Sequence, residues 1–514
     1  MRVGLTVFGV SCVGKGTLLE FVSRLSGKAI ISSDITDTDL ENVDLESLVA
    51  NVTERYQNLD GKVLGKKELA EILAGMTVKK EPVQIEVIRS EGFRPAAKDI
   101  EPEFRARDVK VERTSSSVSD FVDYFQDRFA RQREILRSYG NGFTGVVGSI
   151  ENIKQYMDGR EIAAVGMVYD KIVTAKGNVM ITLEDESGTT KVLFMKPSRK
   201  VKDEQNELLD SASKLMKDDV IAVKGKMWNS FIIASRLLWP DIPLHQQAKV
   251  EEDVAIALVS DVHVGHKLFM EKQFGKFLEW INGGVDNRKD LAAKIKYMVV
   301  AGDLVDGIGI YPEQDKELAI DDIYKQYSVF FDFMESIPDY IEVFIIPGNH
   351  DAVQRAEPQP KVGNGFLKDF KRDNVHMMTN PCYLNLHGVK ILAYHGTSLD
   401  SVIRSVPGCT YGTPTDAMKE ILKRRHLSPI YGGNIVVPSK NDALVINEVP
   451  DILHMGHIHK NGYDAYHGTL LINSGTWQGR TGYQIKQGHV PSPCLLPVYE
   501  AQSGKIDVMD FNGL

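Results

Sequence analysis

The chain has 514 residues, 43% hydrophobic and 25% charged, with a formal net charge of −9. It is too long for one core and is expected to divide into roughly two to four domains. The acidic balance excludes a protein coated in basic surface, so a polyanionic partner would have to meet local cations or a separate subunit. No uncharged apolar run is long enough to cross a bilayer, and the opening "MRVGLTVFGV" lacks a full signal segment. Four cysteines (Cys12, Cys382, Cys409, Cys494) form no C-x-x-C pair. A reducing, cytoplasmic setting with no membrane and no structural zinc is expected.

In chain order, residues 1–60 carry helical patterning and are expected to form a small, mainly helical N-terminal region. Within them "GVSCVGKGT", Gly9 to Thr17, has the outline of a phosphate-binding loop between a strand and a helix. Gly16 occupies the usual Ser/Thr place, although Thr17 matches a GKGT variant, and no hydrophobic run ending in Asp follows to hold magnesium. The loop is read as a decoy. Residues 61–118, rich in lysine and glutamate, are expected as a charged, mobile linker. Residues 119–140 are expected as a helix leading into the next domain, capped by Ser119 or Asp120 and stopped by Gly140. Its apolar face would carry Phe121, Tyr124, Phe125 and Phe129.

Residues 141–248 contain five short β-type runs with a polar helical insert between the third and fourth, which suggests a five-stranded OB-type barrel. Trp228, Phe231 and Trp239 could stack single strands there, but aromatics in such a barrel are more often core or docking surface. From 249 to 514 apolar strands alternate with helices, as in "VAIALVS" followed by "EKQFGKFLEWINGG". Phe274, Phe277, Leu278 and Ile281 mark one face of that helix. The fold class expected is therefore multidomain α+β, the last domain being α/β.

All 13 histidines lie at or beyond His245, and the polar residues of the last domain recur just past the ends of apolar strands. These are Asp261 and His263 in "LVSDVHVGH", Asp303 in "VVAGDLVDG", and Asn349, His350 and Asp351 in "IIPGNHDA". His395 in "LAYHGTS" and His457 and His459 in "HMGHIHK" complete the set. In open α/β sheets the functional crevice lies outside the carboxyl ends of the strands. Two carboxylates, one amide and four imidazoles suit two divalent ions. Such ions ~4 Å apart would repel by about 15 kcal/mol at an effective dielectric of 20, so a bridging anion is required, and Asp303 is its natural source. Nitrogen and oxygen ligands without thiolate favour manganese or iron, with zinc possible. Hydrolysis of a phosphoester fits this site. His266, His454 and His467 are read as packing residues, and Asp306 and Asp351 as loop carboxylates that support ligands.

D-x-H, G-D, G-N-H-D, H-G and G-H-x-H in this order resemble the calcineurin-type metallophosphoesterases. "GIYPEQDKELAIDDIYKQY", "AEPQP", "RRHLSPIYGG" and "LINSGTWQ" narrow the resemblance to the small subunit of archaeal family-D DNA polymerase, which places an OB domain directly before a metallophosphoesterase sandwich. The resemblance implies a two-metal 3′-to-5′ exonuclease, most readily with Mn2+, that proofreads DNA 3′ ends in a heterodimer with a large catalytic subunit. Asp261, His263, Asp303 and His459 would hold one metal, and Asp303, Asn349, His395 and His457 the other. His350 would protonate the leaving 3′ oxygen, positioned by Asp351. A nucleoid-associated enzyme would follow. The alternative is a non-catalytic scaffold with a vestigial metal site that organises the large subunit and the sliding clamp.

Overall fold

The computed structural model describes residues 29–31, 48–49, 52, 62–75, 92–112, 114–138, 149–197, 203–367 and 370–513; the loop at 9–17 lies outside them. Two compact units result, Met1–Val83 and Gln84–Leu514. In the first, β1 (Ala29–Ile31) pairs in parallel with β2 (Lys62–Leu64), which leads into helix α1 (Lys66–Gly75). Leu64, Leu69 and Ile72 are buried there, as are Leu48 and Val52. The region expected to be mainly helical thus also carries a strand.

The stretch 61–118, expected as a mobile linker, holds β2, α1 and, in the second unit, strand β3 (Phe104–Asp108). Only Phe104 of "FRARD" is partly covered; the other four side chains face solvent. Charged side chains are what an edge strand tolerates, so the hydropathy of a linker and of an edge strand is the same. Helix α2 (Val118–Ser138) follows. Its cap is Ser117 rather than Ser119 or Asp120: Ser117 Oγ accepts from Asp120 N at 3.3 Å, while Asp120 Oδ2 accepts from Ser117 N at 2.9 Å. This reciprocal pair satisfies two orphan donors of the first turn.

Five strands then close into a barrel. They are β4 (Glu161–Val173), β5 (Val179–Asp185), β6 (Gly188–Phe194), β7 (Val220–Trp228) and β8 (Phe231–Leu238), with helix α3 (Asp203–Ser213) between β6 and β7. Their order is β4-β5-β6-β8-β7, all contacts antiparallel except β6 with β8. Alternate residues such as Ile162, Ala164, Ile181, Leu183, Val192, Val223 and Ile232 fill the interior, as the period of two requires. Trp228 is exposed, whereas Trp239 is buried beneath the cations of Lys423 and Arg424.

The remaining chain builds two six-stranded sheets. It runs through β9 (Ala255–Val259), α4 (Glu271–Ile281), β10 (Ile295–Ala301), α5 (Ile323–Glu335), β11 (Glu342–Ile346), β12 (Val375–Met377), β13 (Cys382–Leu386), β14 (Val389–Ala393), α6 (Leu399–Ser405), α7 (Pro414–Arg424), β15 (Ile452–Met455), β16 (Gly462–Tyr466), β17 (Thr469–Asn473), α8 (Gly482–Gln487), β18 (Leu495–Glu500) and β19 (Lys505–Asp510). The sheet orders are β12-β11-β10-β9-β18-β19 and β16-β17-β15-β14-β13-β3. Strands β9 and β10 are buried at every residue, as parallel strands covered on both faces must be. Ala255, Ala257 and Val259 pack with Phe274, Phe277, Tyr327 and Phe330 of α4 and α5. Ile256 and Leu258 turn the other way, onto Leu384, Ile391, Ile452 and Ile472 of the second sheet. Beyond that sheet, Leu392, Leu453 and Leu471 meet Val402, Met418 and Ile421 of α6 and α7. The layers are therefore helix, sheet, sheet, helix.

Helix α2 joins barrel to sandwich. Phe129 and Leu136 pack on barrel residues Val165 and Val220, while Arg128 donates to Asp442 Oδ2 at 2.8 Å with both side chains buried. Arg424 of α7 returns a second buried link to Asp219 of the barrel at 2.9 Å.

Candidate metal centre

Each candidate ligand leaves the carboxyl end of a strand: Asp261 and His263 after β9, Asp303 after β10, Asn349 after β11, His395 after β14, and His457 and His459 after β15. The turns there are tight. Asp261, His263, Asp303, His457 and His459 all have φ between 51° and 66°, a left-handed conformation that Asp and His tolerate better than bulkier residues. Two glycines make room for the carboxylates. A Cβ on Gly348 would lie 2.2 Å from Asp303 Oδ1, and one on Gly456 would lie 2.2 Å from Asp261 Oδ2.

The seven side chains come together. His395 Nε2 is 3.4 Å from Asp303 Oδ2 and 2.9 Å from Asn349 Oδ1, which also stands 2.9 Å from His457 Nδ1. On the other side of Asp303, His263 Nε2 is 3.7 Å from Asp303 Oδ2 and 3.0 Å from His459 Nε2, which is 3.3 Å from Asp261 Oδ1. Asp303 thus faces both groups. Asp261, His263 and His459 form one set close enough to hold a metal, and Asp261, Asp303 and His395 another.

The outer ring nitrogens decide what the inner ones can do. His263 Nδ1 donates to Asp306 Oδ1 at 3.1 Å, His395 Nδ1 to the Ala301 carbonyl at 2.8 Å, and His457 Nε2 to Asp400 Oδ2 at 3.4 Å. Carboxylate and carbonyl oxygens only accept, so the neutral rings carry their protons outward and turn lone pairs towards the oxygens of Asp303 and Asn349. A neutral ring nitrogen and an oxygen that both only accept need a cation between them, either a proton or a metal ion. Burial alone would raise the Asp303 carboxyl, but the charges of His395 and His350 outweigh it and hold the group well below the usual carboxylate range. Burial likewise opposes charge on His395, and the Asp303 carboxylate overcomes it and pushes the imidazole up to about 10. A proton held there must leave when a metal enters, which makes uptake weaken at low pH. The donor chemistry fits a divalent cation.

His350 sits at the mouth, half-buried. Its Nδ1 donates to the Asp306 carbonyl at 2.8 Å and its backbone N–H to Asp303 Oδ1 at 2.9 Å. Asp351, expected to position His350, does something else. Its Oδ2 accepts from Gly348 N at 2.7 Å and Leu304 N at 3.3 Å, and its Oδ1 accepts from Tyr327 at 3.0 Å. It braces the loops that carry Asp303 and Asn349, and burial together with the Asp303 charge pushes its carboxyl up to about 7. The residue that holds His350 is Asp306, whose side chain also orients His263.

Sequence reasoning missed most of this support. Gln314 of "YPEQ" donates to Asp306 Oδ2 at 2.7 Å. Gln359 of "AEPQP" donates to the Gly348 carbonyl at 3.1 Å and accepts from Asn380, whose own oxygen receives the His395 N–H at 3.0 Å. The two motifs were legible as strings, but their partners lie far away in the chain. His454 is buried on Ser474, and burial pushes it down to about 3. His266 accepts from Leu268 N at 2.9 Å, and His467 donates to the Ile242 carbonyl at 2.8 Å. None of these three joins the seven.

The chain is similar in sequence to known proteins. The family model for the B-type subunit of DNA polymerase alpha/epsilon matches residues 256–462. The chain is 38% identical over 391 residues to the DNA polymerase II small subunit of Methanocaldococcus jannaschii, covering 75% of this chain and 64% of that protein's length. It is 39% identical over 400 residues to the DNA polymerase II small subunit of Archaeoglobus fulgidus, covering 77% of this chain and 78% of the relative. To that of Methanothermobacter thermautotrophicus it is 37% identical over 423 residues, 81% of this chain and 84% of the relative. Among solved structures, a novel archaeal phosphodiesterase aligns at 12% identity over 50% of this chain and 99% of its own, with a TM-score of only 0.24. Among the described residues no helix is long and apolar enough to cross a membrane.

Proposed function

The chain belongs to the DNA polymerase II small-subunit family, and from that premise we propose that it removes nucleotides from DNA 3′ ends and proofreads for a large catalytic subunit with which it forms a heterodimer. The observation that carries this reading is the set of three imidazoles whose outer nitrogens are tied to oxygen acceptors and whose inner nitrogens face Asp303 and Asn349. In this reading Asp261, His263, Asp303 and His459 hold one divalent ion, and Asp303, Asn349, His395 and His457 hold a second. Bound there, two divalent ions, Mn2+ by preference with iron or zinc as substitutes, would supply neutralisation of phosphate charge and a more acidic water at neutral pH.

The chain's own groups account for the rest. Asp303 fixes the spacing of the two halves, and the Asp306 carbonyl occupies His350 Nδ1, so Nε2 is the ring nitrogen assigned to carry the mobile proton. Water gives up one proton as its oxygen forms the new bond to phosphorus, and the P–O3′ bond breaks. His350, acting as the imidazolium with Nδ1–H on the Asp306 carbonyl, passes its Nε2 proton to the departing 3′ oxygen; the proton released by water restores the ring. A nucleoside 5′-monophosphate is released. The closed barrel is read as an OB-type module, held rigidly to the sandwich through α2 and α7, and the whole is an intracellular protein that works on DNA.

The test uses the full chain with and without its large subunit, Mn2+, and a 5′-labelled primer ending in a mismatch. The wild type should shorten the primer. His350→Ala should lose roughly 10²–10⁴-fold in rate, the range for a general acid, and Asp303→Asn should abolish activity. Undiminished activity in both variants would discard the site. A wild-type complex inert at every metal concentration would leave the scaffold reading in its place.

A further inference from the structure

Segment 478–492, which contains α8, is fastened to both halves of the centre. Gln484 Nε2 donates to His459 Nδ1 at 3.0 Å, and Ser492 N donates to the His459 carbonyl at 2.8 Å. The His489 ring stacks on Tyr411 with centroids 4.0 Å apart, Tyr411 donates to Asp400 Oδ1 at 2.9 Å, and Asp400 receives His457. Gly479 N bonds to the Leu268 carbonyl at 2.9 Å, and Thr481 with Gln484 forms a capping box that stiffens α8. A surface segment held at this many points is rigid.

The segment carries three exposed apolar side chains. Tyr483 is 63% exposed, Ile485 58% and Val490 60%. Folding covers none of them, yet they fall within eight residues on a segment that itself bonds a candidate metal ligand. Exposed apolar groups on a segment bonded to a candidate metal ligand mark a surface that meets something. Arg480 and Lys486 supply cations on the same segment; the acids facing it are Glu313, Glu317 and, beside His489, Asp400. Tyr483 precedes Gln484 on α8, and its hydroxyl lies close to Arg404, which pairs at 3.4 Å with Asp400, the acceptor of His457. Under the proposed activity, the group entering the centre is a phosphodiester flanked by bases.

Resting on the nuclease reading, we infer that this segment is a strand-end clamp: Tyr483 stacks on a base beside the scissile phosphodiester, Ile485 and Val490 wedge against its neighbour, and Arg480 and Lys486 take flanking phosphates. Stacking accepts any base, so the clamp selects an unpaired 3′ end without reading its sequence, as removal of a frayed mismatch requires.

The probe is an eight-nucleotide single strand carrying 2-aminopurine at its 3′ end, with the full chain in EDTA and then in Mn2+. Binding to the wild type should quench the 2-aminopurine by stacking. Tyr483→Ala should lose the quench, bind about 5- to 100-fold more weakly, and raise KM with kcat little changed. Tyr483→Phe should retain all three. Mn2+ content and thermal midpoint, measured on each variant, report that fold and centre are intact. Tyr483→Ala that quenches and binds like an active wild type overturns the clamp alone. A wild type that neither binds nor shortens DNA removes the nuclease reading and the clamp with it.

Discussion

Gly348→Ala is the sharpest probe of how the centre is built. The backbone of Gly348 lies outside the left-handed region, so alanine is allowed there conformationally and only space is at issue. The added Cβ would fall 2.2 Å from Asp303 Oδ1, 2.5 Å from Asp303 N and 2.8 Å from His395 Cε1, against 3.4–4 Å for ordinary contact. Neither side can yield cheaply. Gly348 is pinned by its N–H to Asp351 at 2.7 Å and by its carbonyl to Gln359 at 3.1 Å. Asp303 Oδ1 is pinned by the His350 N–H at 2.9 Å. The carboxylate must therefore move by roughly 1 Å. Overpacking of this kind costs about 1–3 kcal/mol, and weakening a hydrogen bond to a charged group adds about 1.5 kcal/mol. Together these should lower the thermal midpoint by roughly 5–18 °C at about 2–4 °C per kcal/mol. A misplacement of that size should also cost on the order of 10²-fold in activity. The assay is thermal unfolding with and without Mn2+, alongside primer shortening. In the wild type a saturating ligand at 100 times its Kd raises stability by about 2.7 kcal/mol, and the variant should lose that increment. A variant whose Mn2+-dependent rise and nuclease rate match the wild type would refute the packing argument.

Asp306→Ala frees His263 Nδ1 and removes the carboxylate that Gln314 holds. Affinity for Mn2+ should fall about 10- to 100-fold, read by calorimetric titration, with more loss than Asp351→Asn shows if Asp306 is the residue that orients the ring. Arg128→Met leaves Asp442 buried without its guanidinium partner and should cost about 3–5 kcal/mol in denaturant unfolding. Burial, helped by the Arg128 charge, pushes His426 down to about 4 from an ordinary 6.5. The unfolded chain takes up that proton first, so this contribution is complete above pH 6.5 and is lost as pH falls through 4. Over that window the wild type should lose about 3 kcal/mol more than His426→Gln; parallel unfolding curves for the two would rule the assignment out.

Much of the molecule was legible from residue order. The unbroken apolar runs "VAIALVS" and "KYMVVAG" specify buried parallel strands, because a parallel strand covered on both faces has no polar side to show. The five barrel strands and their interrupting helix follow from a period of two and from turn residues. The ligand types follow the same logic, since Asp, Asn and His immediately after such strands land at one crevice whatever joins the strands. What residue order left open were the relations between distant segments. "FRARD" reads as solvated linker because an edge strand and a linker share a hydropathy, and only pairing with β13 separates them. Asp351 stands beside His350 in the chain yet serves Gly348, Leu304 and Tyr327, while Asp306, 44 residues earlier, holds the ring. Adjacent residues in a tight turn point apart, and hydrogen bonds are satisfied through space. The chemistry of the ligands was thus written locally, whereas their orientation, and the Gln484 bond that brings α8 to the cleft, arose only when the two sheets packed.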